Sequence, residues 1–276
     1  MSQRDQPVDA PTRGGMPMLG LGTWENDDPA QCTESVRTAL NAGYRHVDTA
    51  QIYGNEAAVG DGIAAADVDR DDVFLASKVW IDQLASEDVI ASTRESLDKL
   101  GTESVDLMYV HWPAGAYDPA ETLPAFAELR DEGLIDRIGV SNFEPEHLDA
   151  ATDALGEAPF ANQVEMHPLL RQEALREYAD DSGIELVAYS PLARGHVLDD
   201  PIVTDIAEKH AVSAAQVSLA WLREKGVTAI PKATGEDHIR DNLASLALDL
   251  DDEDVAAIDS LGRTDRRLNP DFGPDW

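Results

Sequence analysis

Four side chains of this 276-residue chain stand out for what they could do to a proton: Asp48, Tyr53, Lys78 and His111. They fall in DTAQIYGNE (48–56), SKVW (77–80) and HWP (111–113), at the ends of short apolar or β-branched runs. A free phenol has a pKa of ~10 and is a poor donor near neutrality. An ammonium beside it stabilises the phenolate and lowers that value, while a carboxylate paired with the ammonium keeps it charged inside a cavity. A neutral imidazole next to the phenol can orient a carbonyl oxygen and share developing charge. The set therefore predicts general-acid protonation of an alkoxide as it forms. It offers neither a nucleophile nor a hydride, so the hydride has to come from a cofactor. Each residue also has a bland reading: Asp48 as a helix cap, Tyr53 as a loop aromatic, Lys78 as a solvated strand end, His111 as a satisfied core histidine. Against these, lysine is scarce. Of five copies (78, 99, 209, 225 and 232), two sit at strand ends inside apolar sequence.

Positioning such a set requires strands that end on one rim. Eight candidate strands are legible: 18–23, 46–50, 73–79, 105–111, 135–142, 161–166, 184–190 and 227–232. Helix-like stretches lie between them at 33–43, 87–101, 121–133, 172–183 and 213–226, several closing on glycine. Ser213 with Gln216 has the spacing of a capping box. Strands alternating with helices of this length imply parallel βαβ units, and eight of them in about 250 residues favour a closed (β/α)8 TIM barrel. PTRGGMP (11–17) reads as a short N-terminal hairpin, and 248–262 as an extra C-terminal helix. The expected organisation is a flexible tail over 1–12 and a single barrel domain over 13–276. The string GDGIAA (60–65) fits a dinucleotide-binding fingerprint but follows helical sequence instead of a strand, so it is set aside.

Charge narrows the field further. With 54 Asp+Glu against 21 Lys+Arg the formal net charge is −33, which argues against nucleic-acid or anionic-membrane partners. The acids are spread along the chain, as in 66–72, 180–183 and 248–255, and read as a solvated shell adapted to high salt. One cysteine, Cys32, excludes a disulfide framework and suits a reducing cytoplasm. The first residues carry no apolar signal-peptide core, and no run of 18 apolar residues predicts a membrane span.

The motifs GLGTW (20–24), GYRHVDTAQIYGNE (43–56), SKVW, HWP, GVSNF (139–143), AYSPLARG (188–195) and IPK (230–232), in this order over about residues 14–262, resemble the aldo-keto reductase superfamily. The compact N-terminus and short C-terminal tail resemble its prokaryotic branch, which includes diketogluconate reductases and methylglyoxal-reducing enzymes. The resemblance implies a barrel that binds NADPH extended and reduces aldehydes or ketones, with NADH also possible. It implies Tyr53 as proton donor, Lys78 and Asp48 as its tuning pair, and His111 as the group orienting the carbonyl. Ser141, Asn142 and Gln163 would hold the nicotinamide carboxamide, Tyr189 would stack on the ring, and Thr23 would lie near its ribose. Ser190 and Leu192 would meet the pyrophosphate, Lys232 the adenosine 2′-phosphate, and Asn242 the adenine. Where the family often has Lys-Ser and an arginine six residues on, this chain has Lys232-Ala233-Thr234 and His238, which weakens the 2′-phosphate site unless Thr234 or Arg240 compensates.

Trp24, Trp80 and Trp112 match substrate-pocket positions, and the short tail after Gly262 implies an open site. The expected partner is a small-molecule carbonyl compound, and the expected state a monomer. Two other readings stay open: a nicotinamide-binding regulatory barrel without turnover, and a metal-dependent isomerase or hydrolase using His46, Asp48, Glu165 and His167.

Overall fold

In the computed structural model, which describes residues 10–262, 264–274 and 276, every predicted strand forms, though most are shorter than their apolar runs. A hairpin comes first, β1 (Thr12–Arg13) antiparallel to β2 (Met16–Pro17). The first nine residues of the expected tail lie outside the described residues. The eight parallel strands are β3 (Leu21–Gly22), β4 (His46–Asp48), β5 (Phe74–Val79), β6 (Leu107–Val110), β7 (Ile138–Ser141), β8 (Ala161–Glu165), β9 (Glu185–Tyr189) and β10 (Thr228–Ala229). Each pairs with its neighbour in sequence. Parallel bridges Leu19↔Ala229 and Gly22↔Lys232 join the first strand to the last, and the sheet closes. Gly22 is needed at this seam, because a Cβ there would lie 2.6 Å from the Ile230 carbonyl oxygen.

Among the described residues ten α-helices cover the outside: α1 (Pro29–Ala42), α2 (Glu56–Ala64), α3 (Ser86–Leu100), α4 (Pro119–Asp131), α5 (Pro145–Leu155), α6 (Glu173–Ser182), α7 (Pro201–His210), α8 (Ala214–Glu224), α9 (Glu236–Ala244) and α10 (Asp252–Asp259). Three of them start alike. Asp28, Asp118 and Asp200 each accept from a first-turn N–H, and each is followed by a proline whose missing N–H costs nothing there. Helices α5, α7 and α9 were not read from the sequence. The expected capping box at α8 is half made: Ser213 accepts from the Gln216 N–H at 3.1 Å, but the Gln216 side chain turns away to Asp241.

The GDGIAA string forms the second half of α2 and its C-cap Ala65, as its context suggested. A Cβ on Gly60 would fall 2.3 Å from the Leu100 carbonyl oxygen, and one on Gly62 2.7 Å from Val36, so these glycines serve close helix packing. The main core runs from Leu19 to Leu261 between strands and helices. A second cluster fills the barrel: Met16 of the hairpin packs with Phe74, Leu107, Val187 and Ile230. One end of the barrel is thus plugged, which leaves the carboxyl ends of the strands to form a cleft.

Candidate active site

Asp48 ends β4, Lys78 is the penultimate residue of β5, and His111 follows β6, so parallel register carries all three to one rim. Lys78 Nζ donates to Asp48 Oδ1, to the Thr49 carbonyl at 2.8 Å and to the Tyr53 hydroxyl at 3.4 Å. The three ammonium donors are therefore committed, and the phenol keeps its own O–H for the cavity. Asp48 Oδ2 accepts from Gln163 Nε2 at 2.7 Å. Lys78 is 1% exposed and Asp48 2%, which puts the pair out of water. The His111 ring meets Tyr53 edge-on at 5.8 Å between centroids and Trp80 at 5.0 Å.

Tyr53 sits in a short helical turn whose flanks are pinned. Before it, Gln51 Oε1 accepts from the Trp80 N–H at 3.0 Å and Gln51 Nε2 donates to Ser96. After it, Asn55 accepts from Thr49 at 2.8 Å and donates to the Thr23 carbonyl at 2.9 Å. Glu56, next along, accepts from Ser77 at 2.7 Å. The polar residues of DTAQIYGNE thus hold the one aromatic among them.

Burial dominates the electrostatics. It pushes the Tyr53 phenol well above its usual value, with Asp48 adding to the rise. This corrects the expectation that the ammonium lowers it: in the free protein desolvation wins, and the phenol stays protonated. Burial also draws Lys78 down, against the pull of Asp48. It holds His111 well below the usual imidazole value, with Lys78 contributing, so the ring is neutral at pH 7. A protonated phenol, an ammonium and a neutral imidazole can together donate a proton to an oxygen gaining charge between them.

These groups open into a cleft of about 420 Å3. Among the predicted residues Thr23, Trp24, Asp48, Tyr53, Trp80, His111, Trp112, Ser141, Asn142, Gln163, Tyr189, Ser190 and Lys232 line it. Asn142 is the hub on the far wall: its Nδ2 donates to the His111 carbonyl at 3.1 Å and to Ser141 at 3.0 Å, and its Oδ1 accepts from the Tyr189 hydroxyl at 2.8 Å. Leu192 lies in an adjoining groove with Arg194, Gly195 and Pro231, which shares Trp24, Glu25, Ser190 and Lys232 with the cleft. Thr234, His238 and Asn242 line neither cavity. Thr234 is half-buried, His238 exposed and Asn242 buried. Arg240 is taken up by Glu236 at 2.8 Å. Lys232 is exposed and, unlike the other four lysines, has no ion pair among the described residues.

The alternative metal set does not converge. His46 Nδ1 points at the Pro17 carbonyl, Asp48 is spent on Lys78 and Gln163, and Glu165 and His167 pair with each other. No group of three or more metal-ligating side chains occurs among the described residues, and none of their helices is long and apolar enough to cross a membrane.

Sequence reasoning missed one wall. The C-terminal segment runs back over the cleft, adding Leu268, Pro270 and Phe272, with Phe272 edge-on to Trp80 and Trp112 at 5.8 and 5.5 Å. A short tail had implied an open site. It closes one side instead: the resemblance points to this region as pocket-shaping, but its shortness reads as leaving the site open.

The sequence profile of the Aldo/keto reductase family matches residues 18–263. The chain belongs to that family. This aldo/keto reductase is 42% identical over 255 residues to the glyoxal reductase of Bacillus subtilis, covering 92% of each chain. It is 40% identical over 265 residues to the methylglyoxal reductase DkgB of Escherichia coli O157:H7, covering 95% of this chain and 99% of the relative. A crystal structure of a protein assigned as a 2,5-diketo-D-gluconic acid reductase B superposes with a TM-score of 0.92 at 39% identity, covering 99% of this chain and 98% of the other. The chain is thus an oxidoreductase of the carbonyl-reducing kind on a (β/α)8 TIM-barrel scaffold.

Proposed function

We propose that the protein reduces aldehydes and small ketones to alcohols with NADPH, Tyr53 giving the proton. The observation that carries this is the Asp48–Lys78–Tyr53 chain of contacts beside a neutral His111, at the floor of an apolar cleft. The remaining lining fits a nicotinamide nucleotide: the Ser141 hydroxyl and the Asn142 and Gln163 amides suit a carboxamide, and the Tyr189 ring suits stacking. When bound, the reduced nicotinamide supplies hydride. Tyr53 and His111 orient the carbonyl oxygen, and Tyr53 passes its proton to that oxygen as it gains charge. Lys78 then lies 3.4 Å from the phenolate left behind and stabilises it, while Asp48 keeps the ammonium charged. An assay with NADPH and a panel of aromatic and small dicarbonyl aldehydes in high salt tests the reading. Tight NADPH binding without absorbance loss across the panel would instead favour a regulatory barrel.

Ser190 and Leu192 then line the path of the pyrophosphate, and Lys232, without an ion pair among the described residues, is the cation for the 2′-phosphate, since Arg194 is paired with Glu25, His238 lines neither cavity and Arg240 is paired with Glu236. Lys232→Ala is expected to weaken NADPH by ~10–100-fold, the value of a charge-assisted contact, and NADH by far less. Equal weakening, measured by fluorescence titration at matched salt, would detach Lys232 from that phosphate.

The same reading includes a monomeric enzyme of a salt-rich cytoplasm. Self-repulsion among 54 acids is screened at ~1 M salt, where the Debye length is ~3 Å, and released at low salt. The melting temperature is expected to fall as KCl is withdrawn, by about 2–4 °C for each kcal/mol of repulsion unmasked. A melting temperature independent of KCl would remove the halophilic part of the proposal.

A further inference from the structure

The C-terminal wall of the cleft has no secondary structure of its own among the described residues after α10, so its position depends on a few contacts. The Asp265 N–H donates to the Leu169 carbonyl at 2.8 Å, and two further tail amides are held by one side chain. Glu165, the last residue of β8, accepts from the Arg267 N–H at 2.7 Å through Oε1 and from the Leu268 N–H at 2.8 Å through Oε2. His167 Nε2 donates to Oε1 at 3.0 Å. Glu165 is wholly buried and, among the described residues, has no lysine or arginine side chain in an ion pair; Arg267 gives its guanidinium to Asp265. A carboxylate so placed is costly unless its hydrogen bonds are made, and here both oxygens are spent on the tail backbone and His167.

Glu165 also shares a strand face with Gln163, two residues earlier, which holds Asp48. One face of β8 thus grips the catalytic carboxylate and the tail together. The residues that follow the gripped amides are Leu268, Pro270 and Phe272, the cleft wall itself.

We propose that Glu165, steadied by His167, is a positioning residue that fixes the C-terminal segment as a wall of the substrate cleft and so sets selectivity for bulky apolar aldehydes over small ones. The selectivity half rests on the proposed carbonyl reduction; the anchoring half does not. Glu165→Gln keeps shape and volume but has one acceptor oxygen, and its amide NH2 faces donors, so at least one tail amide loses its partner.

In the unaltered protein, hydrogen exchange at the Arg267 and Leu268 amides is expected to be slow, and in Glu165→Gln fast. The ratio of kcat/KM for 2-naphthaldehyde to that for methylglyoxal is expected to fall about tenfold, the low end of what one apolar pocket contact supplies, chiefly through KM. Phe272→Ala, at a half-exposed position, is expected to lower the ratio similarly, and the double variant no further, because both act through one wall.

Additive effects would overturn the proposal, as would protected tail amides in Glu165→Gln. If Glu165→Gln does not fold, exchange in the unaltered protein decides: unprotected amides at 267 and 268 refute the anchor. Absence of turnover in the unaltered protein would sink carbonyl reduction and the selectivity claim, while exchange still reports the anchor.

Discussion

Tyr53→Phe is expected to lower the turnover of aldehyde reduction by about 10²–10⁴-fold, the range that positioned general acids supply, and to leave nucleotide affinity nearly unchanged. The change removes one oxygen. Lys78 loses its contact at 3.4 Å but keeps Asp48 and the Thr49 carbonyl, so the buried pair survives. The loop keeps its pins as well, because Gln51 and Asn55 hold it through their own side chains. Stability should therefore move little, and a loss of turnover can be assigned to the missing proton. The raised phenol bears on how that proton is given: a group that holds its proton firmly in the free protein does not leak it to solvent, and it yields it when an alkoxide forms beside the ammonium. Single-turnover measurements with NADPH and an aromatic aldehyde check this. Turnover within a few-fold of the parent would remove Tyr53 as the acid, and His111 would then be the next group to test.

Much of this site is readable because strand ends are readable. The runs leading to Asp48, Lys78, His111, Ser141 and Tyr189 are β-branched or apolar, and in a parallel barrel their carboxyl ends share a rim. The tail wall was not readable. Residues 264–274 are tied back by two backbone N–H groups on Glu165 and a third on the Leu169 carbonyl, and a backbone donor leaves no mark on sequence. Glu165 and His167 themselves were visible, but as candidate metal ligands near a strand end, since the backbone partners of Glu165 lie about 100 residues away. Helices α5 and α7 do carry a start signal, but one that the composition of the chain masks. Glu144-Pro145 and Asp200-Pro201 repeat the acid-then-proline start of α1 and α4, and in so acidic a chain one more Asp or Glu before a proline did not stand out. The direction of the Tyr53 shift lay beyond sequence altogether, because the adjoining Lys78 ammonium and the depth of burial act in opposite senses, and only packing decides between them.

Lys78→Met should cost both turnover and stability, and the two losses can be separated. Removing one partner of a buried ion pair leaves the other charge unpaired, at about 3–5 kcal/mol. Asp48 would retain Gln163 at 2.7 Å but lose the ammonium, in a place 2% exposed to water. Unfolding in denaturant is expected to record that loss. Adding Asp48→Asn removes the stranded charge, and a neutral amide beside methionine should recover most of the stability, because a buried pair replaced by neutral groups of similar volume is often near neutral in cost. Turnover should not return with it. The phenolate that forms in the reaction would still lack its neighbouring ammonium, so the double variant is expected to stay ~100-fold or more below the parent. If turnover recovered along with stability, Lys78 would be a structural residue only, and the acidity of Tyr53 would have to arise from His111 and the bound nucleotide. If stability failed to recover while the fold persisted, the cost would lie in the lost Thr49 contact instead of the charge, and the salt bridge would matter less than the backbone carbonyl it covers.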